Sequence, residues 1–254
     1  MGSEWAERWN RVLKMIEVIE DEEALSERIE QLVNTQTTQI LAFVNAHALN
    51  QVVNQSEFYE SLVQADLIFR DGSGIEMLFK SNGMNPGLNL NGTDLIPRIL
   101  KQSRNKKIAL YGTQEPYLGN AKNTIEQWLD GDAVLSELDG FLDFSDYIQA
   151  AKESKPNVIL LAMGMPKQEL LASRLKVELD HPCLIICGGA VLDFIGGKVS
   201  RAPKWMRDSG IEWLYRLAIE PKRLFKRYVI GNPLFLSRVK KLKAINKGPL
   251  LDGG

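Results

Sequence analysis

The chain has 254 residues, of which 44% are hydrophobic, enough for one substantial core or for one core with a small appended unit. No apolar run approaches the roughly 20 residues that span a bilayer, and the first 30 residues are charged throughout without a signal-peptide core, so neither an integral membrane nor a secreted protein is expected, and a cytoplasmic one is. The net charge of -1 hides an uneven division: residues 1–34 hold nine acidic and four basic side chains, net -5, whereas residues 198–247 hold fourteen basic and three acidic, net +11. A segment that basic suits a phosphate-rich partner, whether nucleic acid, an anionic membrane surface or a nucleotide diphosphate.

Residues 1–34, rich in Glu, Leu and Ile, predict one or two amphipathic helices. From there β-rich apolar runs alternate with helical patterns: strands over 40–44, 67–70, 107–111, 133–138, 157–162 and 183–187, helices over 57–64, 94–102, 116–129, 145–153 and 167–177. Such alternation predicts a parallel, doubly wound α/β sheet. The unbroken run Val158-Ile159-Leu160-Leu161-Ala162 suits a central strand covered on both faces. Cys183 and Cys187 read as small hydrophobes of a buried strand. After Gly197, residues 205–227 and 233–243 predict basic amphipathic helices, with Pro221 at a kink and Gly231-Asn232-Pro233 as a break.

Ligands of open α/β sheets bind at the carboxyl ends of the strands. There this chain is polar or glycine-rich: Asn45 and His47, Asp71 to Gly74, Gly112 and Thr113, Asp139 to Phe141, Gly164 to Glu169, Gly188 and Gly189. Asp71 reads equally as a base at a strand end or as the cap of the next helix. Gly72-x-Gly74 resembles a dinucleotide fingerprint weakly, because Met77 stands where the third glycine belongs. Asn91 or Thr93 fits a helix cap, with the N–H groups of that turn able to face a phosphate. His47 has a structural reading beside a catalytic one. Asp130 and Asp132 have the spacing of a metal-binding pair but lie at the opposite end of the sheet, so they read as a solvated turn and no metal site is expected. Pro166 opens a helix whose N-terminus attracts negative charge, with Lys167 and Gln168 placed for a sugar or phosphate. Arg216, Arg223 and Arg227 recur at seven and four residues, one helical face if the helix continues past Pro221, and could embrace a diphosphate. With Trp205, Trp213, Tyr215, Phe225 and Tyr228 they equally suit a lipid-facing stripe.

Taken in order, Phe43-Val44-Asn45-Ala46-His47, Asp71-Gly72, Asn91-Gly92-Thr93-Asp94, Asp139-Gly140-Phe141, Gly164 to Glu169, Gly188 to Phe194 and Arg201-Ala202-Pro203 to Arg223 closely resemble the WecG/TagA/CpsF family of bacterial glycosyltransferases over roughly residues 36–235. The resemblance implies a Rossmann-like parallel sheet flanked by helices over 35–197, a helical segment before it at 1–34, and a basic, helical, membrane-associating appendage at 198–254. It implies an inverting, metal-independent transfer of a hexose or N-acetylhexosamine from a UDP-sugar to a polyprenyl-diphosphate-linked saccharide. That reaction serves exopolysaccharide or cell-surface polysaccharide synthesis on the cytoplasmic face of the cell membrane. No cofactor and no nucleic acid are implied, and a homo-oligomer is compatible.

On this resemblance Asp71 is the general base and Asn45 helps to position the sugar. Gly112, Gly164, Gln168, Gly189 and Asp193 belong to the donor pocket, while Arg216, Arg223 and, more loosely, Arg227 close over the diphosphate in place of a metal. Lys226 is equally close to the third basic position. His47, Asn91 and Thr93 fall to sugar or acceptor positioning. Two departures bear on the donor: many relatives have threonine where this chain has Phe43 and arginine where it has Asn89, which makes a neutral hexose such as glucose a donor to test. The competing reading is a non-catalytic module that binds UDP-sugar and docks on membranes.

Overall fold

All six apolar runs become strands: β1 (Gln39–Val44), β2 (Leu67–Arg70), β3 (Ile108–Gly112), β4 (Val134–Leu138), β5 (Val158–Ala162) and β6 (Leu184–Cys187). The structure, a computed structural model, describes residues 4–131 and 133–246. The strands pair in parallel throughout, in the order β2-β1-β6-β5-β3-β4. Fully buried β5 lies inside the sheet between β6 and β3. Successive strand residues face opposite sides, so Ile40, Ala42, Ile159 and Leu161 enter one core while Leu41, Phe43, Val158 and Leu160 enter the other.

The helices before and between the strands are α1 (Glu4–Lys14), α2 (Glu22–Val33), α3 (Ala46–Asn54), α4 (Ser56–Leu62), α5 (Ser73–Ser81), α6 (Gly92–Gln102), α7 (Tyr117–Leu129), α8 (Phe144–Ser154) and α9 (Lys167–Glu178). After β6 come α10 (Val191–Ile195), α11 (Lys204–Asp208), α12 (Glu212–Ile219), α13 (Pro221–Phe225), a π turn (Lys226–Ile230) and α14 (Gly231–Asn246). α1, α3, α4, α5, α8 and α9 cover one face, and α2, α6, α7 and α10 the other. The acidic N-terminal residues thus straddle the sheet. Between α1 and α2, the N–H of Glu17 donates to the carbonyl of Ile68 at 2.9 Å and covers the outer edge of β2. Cys183 and Cys187 are buried and unpaired by disulfide, as small core residues.

β3 and β5 are neighbours, but β3 runs on through α7 to β4 while β5 runs on through α9 to β6, away from it. α7 and α9 accordingly lie on opposite faces. Connections that diverge in this way leave a crevice at the carboxyl ends of the two strands, which is where such sheets take ligands.

The C-terminal part departs from the expected pattern. The helical stretch over 205–227 is three short helices, because Gly210 takes a left-handed φ of 70° and Pro221 opens α13, where its missing N–H costs nothing. No break occurs at Gly231-Asn232-Pro233: α14 starts directly out of the π turn. Pro233 falls in its first turn, at the change from π to α spacing, so it interrupts no established ladder. α14 is rooted in the core through Phe235, Val239 and Leu242, and Trp9 of α1 stacks 5.6 Å from Phe235 while donating its indole N–H to the Leu49 carbonyl at 2.7 Å. Asn50 ties α3 to α14, donating to the Gly231 carbonyl at 2.8 Å and accepting from Arg238 at 2.7 Å. Among the described residues no helix is long and apolar enough to cross a membrane.

Candidate active site

β1 and β2 end side by side, and their last backbone bond, from the Asp71 N–H to the Val44 carbonyl at 2.8 Å, sets Asn45 next to Asp71. Asn45 caps α3, its side-chain oxygen accepting from His47 and Ala48 N–H at 3.0 and 3.1 Å. Its amide N–H donates to Asp71 Oδ2 at 3.1 Å. Asp71 caps nothing: the N-cap of α5 is Gly72, at a φ of 83° that glycine adopts without cost. One carboxylate oxygen is therefore held and the other accepts no hydrogen bond among the described residues. The turn beyond it is braced by Asn89, whose side-chain oxygen accepts from Gly72 N–H at 3.3 Å and Arg70 Nη1 at 3.5 Å.

His47 follows in the first turn of α3, within 3.0 Å of Gln51 Nε2. Burial, and then the nearby Arg227 cation, push its pKa down to about 4, so it is neutral at pH 7. Asn91 caps α6, its side-chain oxygen accepting from Asp94 N–H at 3.0 Å, so the capping role falls to Asn91 and not to Thr93. Asp94 is taken up by the basic segment, in a two-point pair with Arg201 at 2.8 and 3.2 Å and with Arg207 at 3.6 Å.

On the other side of the rim, Gly112 packs so closely on Ala162 that a Cβ there would meet its carbonyl oxygen at 2.3 Å. Only glycine lets β3 and β5 approach at the crevice. The next residue, Thr113, donates its hydroxyl to Asp193 Oδ1 at 2.6 Å, and Lys198 pairs with the same oxygen at 3.2 Å. Gly164 and Gly189 hold positive φ of 80° and 62° with open space where a side chain would be. Gln168 does not project into the rim: it is 1% exposed, its oxygen accepting from Gly189 N–H at 2.9 Å and its amide donating to Glu169 at 2.8 Å. It braces the glycine turn instead of offering a free amide. Lys167 likewise points at backbone, donating to the Gly140 and Leu142 carbonyls at 3.0 and 2.8 Å.

The single helical face expected for Arg216, Arg223 and Arg227, were the helix to continue past Pro221, does not form, since Pro221 begins a new helix, yet Arg216 and Arg223 lie near enough to Arg227 to act on its charge. Burial lowers the pKa of Arg227, with Tyr228 and Asp71 opposing the shift and Arg216 and Arg223 adding to it. Arg223 is held in its charged form first by its pair with Glu220 and then by Glu220 and Asp193 through space. The Nε atoms of Arg216 and Arg227 are buried with no hydrogen-bond partner among the described residues. Arg216 lies over the Phe194 ring at 5.4 Å and Arg227 over that of Tyr228 at 5.3 Å. Buried donors left open in a cluster of like charges mark a place for an anion.

Asp130 sits in the left-handed turn after α7, paired with Arg104 at 3.6 Å, away from this rim, and Asp132 lies outside the described residues. Among the described residues no group of three or more His, Cys, Asp or Glu is placed to hold a metal ion. One side chain of the site, Lys198, was not named from sequence, while Thr113 was named only as a strand-end residue and Asn89 only as a departure bearing on the donor. Lys198 had a signal in its position, directly after Gly196-Gly197 at the start of the basic segment.

A carboxylate on one lip of the rim, glycine turns along it and arginines with open Nε donors nearby define a Rossmann-like α/β protein whose strand ends gather polar and cationic groups. The sequence model of the glycosyl transferase WecG/TagA/CpsF family matches residues 12–248, and the chain belongs to that family. It is similar to the N-acetylglucosaminyldiphosphoundecaprenol N-acetyl-beta-D-mannosaminyltransferase of Bacillus spizizenii, 25% identical over 78% of this chain and 78% of the relative. The enzymes of that name from Bacillus subtilis and Staphylococcus aureus are 24% identical, over 72% of this chain and 73% of theirs, and 26% identical, over 85% and 86%. The protein is thus a glycosyltransferase.

Proposed function

We propose that the protein transfers a hexose or N-acetylhexosamine from a UDP-sugar to a polyprenyl-diphosphate-linked saccharide, with inversion and without a metal ion. The observation that carries this reading is the pair of open, buried Arg216 and Arg227 donors above the rim where Asp71 keeps one oxygen free. Asp71 takes the proton of the acceptor hydroxyl as its oxygen attacks the anomeric carbon from the face opposite UDP. Arg216 and Arg227, with Arg223 exchanging from Glu220, neutralise the charge that develops on the departing diphosphate, the task a divalent ion would otherwise perform. His47, neutral in its buried place, offers a hydrogen bond and not a second positive charge. Asp193, with Thr113 and Lys198, orders the crevice for the nucleotide.

The activities for which the relatives are named, with an N-acetylglucosaminyldiphosphoundecaprenol acceptor and a transferred N-acetylmannosamine, support this class of substrates. Phe43 is buried against Phe69 and beneath Gly92, and forms an apolar floor under the sugar side of the site, which keeps glucose among the donors to test. The core over 35–197 carries the chemistry, and the appendage over 198–254 carries the arginines and the membrane contact. Trp205, Phe225 and Ile230, exposed by 63%, 52% and 54%, stand among lysines and arginines as an amphipathic surface for an anionic bilayer.

The test is UDP release from a panel of UDP-sugars with a polyprenyl-diphosphate-linked sugar, in EDTA, comparing wild type with Asp71→Asn. One donor consumed by wild type and about a hundredfold more slowly by the variant is the expected result. Equal rates would refute Asp71 as the base, and dependence on an added divalent ion would refute the arginine clamp.

A further inference from the structure

Among the described residues Glu169 is the one carboxylate sealed inside the molecule next to the rim, 2% exposed. Its Oε1 accepts from Gln168 Nε2 at 2.8 Å, and its Oε2 is buried with no hydrogen-bond partner among the described residues. The groups facing it are the Gln168 amide and its own backbone N–H on the same helix and the Cys187 thiol at the end of β6; among the described residues no cation contributes to its ionisation. A carboxylate with an open oxygen and no cation is costly to bury. For the bulk of the core, leucine would serve.

The geometry points to Glu169 as a positioning residue of the donor site, which through the Gln168 amide fixes the Gly188-Gly189 turn that leads into Asp193. The inference rests on reading that rim as the donor site. A carboxylate can only accept, so it forces the Gln168 nitrogen towards itself and the Gln168 oxygen towards Gly189, whose N–H it holds at 2.9 Å. The reversed amide would set its oxygen against the carboxylate and its N–H groups against the Gly189 N–H. Gly189 sits at a φ of 62° with no side chain to anchor it, so the Gln168 oxygen is the side-chain hold on its N–H. The turn closes with the Val191 N–H donating to the Gly188 carbonyl at 3.2 Å, and α10 then carries Asp193 to Thr113. Burial pushes the Glu169 carboxyl up to about 7, against the Gln168 hydrogen bond, so the lock is half engaged near neutrality. Once protonated, the acid can donate to the Gln168 oxygen, and the reason for one amide orientation is gone.

The test follows the Gly189 backbone amide of the full chain by NMR across pH values around 7. The Gly189 resonance is expected to titrate with a midpoint near 7 in wild type and to stop titrating in Glu169→Gln. A resonance that does not titrate, or that still does so in the variant, overturns the proposal. UDP titration gives the second readout: Glu169→Gln weakens UDP about fivefold, the worth of one hydrogen bond, and adds nothing in a Gln168→Ala background. An equal loss in both backgrounds would show that Glu169 does not act through Gln168. Should Glu169→Gln fail to fold, the wild-type titration decides alone; should UDP not bind at all, the donor-site reading fails while the Gly189 result still judges the lock.

Discussion

The side-chain amide of Asn45 donates to Asp71 Oδ2 at 3.1 Å while its oxygen caps α3, so one residue ties the end of β1 to the carboxylate at the end of β2. Asn45→Asp separates the two duties. Aspartate caps a helix as well as asparagine does, so stability is expected to stay within about 1 kcal/mol of wild type. The variant loses the N–H that donates to Asp71 Oδ2 and sets a second carboxylate beside it, so transfer should fall while the fold holds. An unchanged transfer rate would show that the Asn45 amide does not serve Asp71.

Arg216 and Arg227 present buried Nε donors without a hydrogen-bond partner among the described residues, so on the proposed function replacing either by alanine removes charge-assisted bonds to the diphosphate while breaking no close ion pair. UDP binding is expected to weaken about tenfold for each, and more steeply at low ionic strength than at high. Calorimetry at two salt concentrations checks both parts. Arg223→Ala also frees Glu220, so its loss should be the larger in stability relative to binding.

His47 titrates near 4 in the fold and near 6.5 in the unfolded chain, first through burial and then through Arg227. The folded state therefore resists protonation, the unfolded state takes up the proton below about pH 6.5, and stability from this group is full above that pH and lost as pH falls towards 4. In urea melts His47→Gln should show a shallower loss of stability between pH 6.5 and 4 than wild type. Arg227→Ala should raise the His47 pKa, readable by NMR titration of the ring. Identical pH slopes for wild type and His47→Gln would contradict the buried, neutral histidine.

Trp205, Phe225 and Ile230 are exposed, whereas Phe235, only a few residues further on, is sealed against Trp9. Replacing the first three by serine should abolish sedimentation with anionic vesicles while changing stability little per site. Phe235→Ala should cost about 3–5 kcal/mol through the cavity it leaves. Deleting the whole appendage would conflate the two, because it uncovers Trp9 as well as removing the arginines. Vesicle binding unchanged in the triple variant would place the membrane contact elsewhere.

The sheet was legible because β5 and its neighbours are unbroken apolar runs, and the rim because glycines and polar residues recur at the strand ends, each fixed by local chemistry. A cap at Asn91 or Thr93 was legible for the same reason, and the structure gives it to Asn91. Strand order was not, since which parallel strands become neighbours depends on crossovers between distant segments. Gln168 looked like a ligand contact because a polar residue at a helix start usually faces solvent; its burial follows from Gly189, far along the chain, which no local pattern reveals. The convergence of Arg216, Arg223 and Arg227 was anticipated, but by a continuous helix that Pro221 rules out. Three short helices turned by Gly210 and Pro221 bring the same groups together by tertiary folding.

The stacking of Trp9 on Phe235 has a bearing on how the molecule is made. During synthesis the first helix leaves the ribosome with its indole uncovered, and the ring that seals it arrives only after the whole sheet has been translated. The final contact closes a loop of nearly the entire chain, which is a slow kind of folding step and places the last barrier late. Until it closes, α14 lacks its deepest anchor, and the arginine-bearing segment before it is held only by contacts such as the Arg201–Asp94 pair.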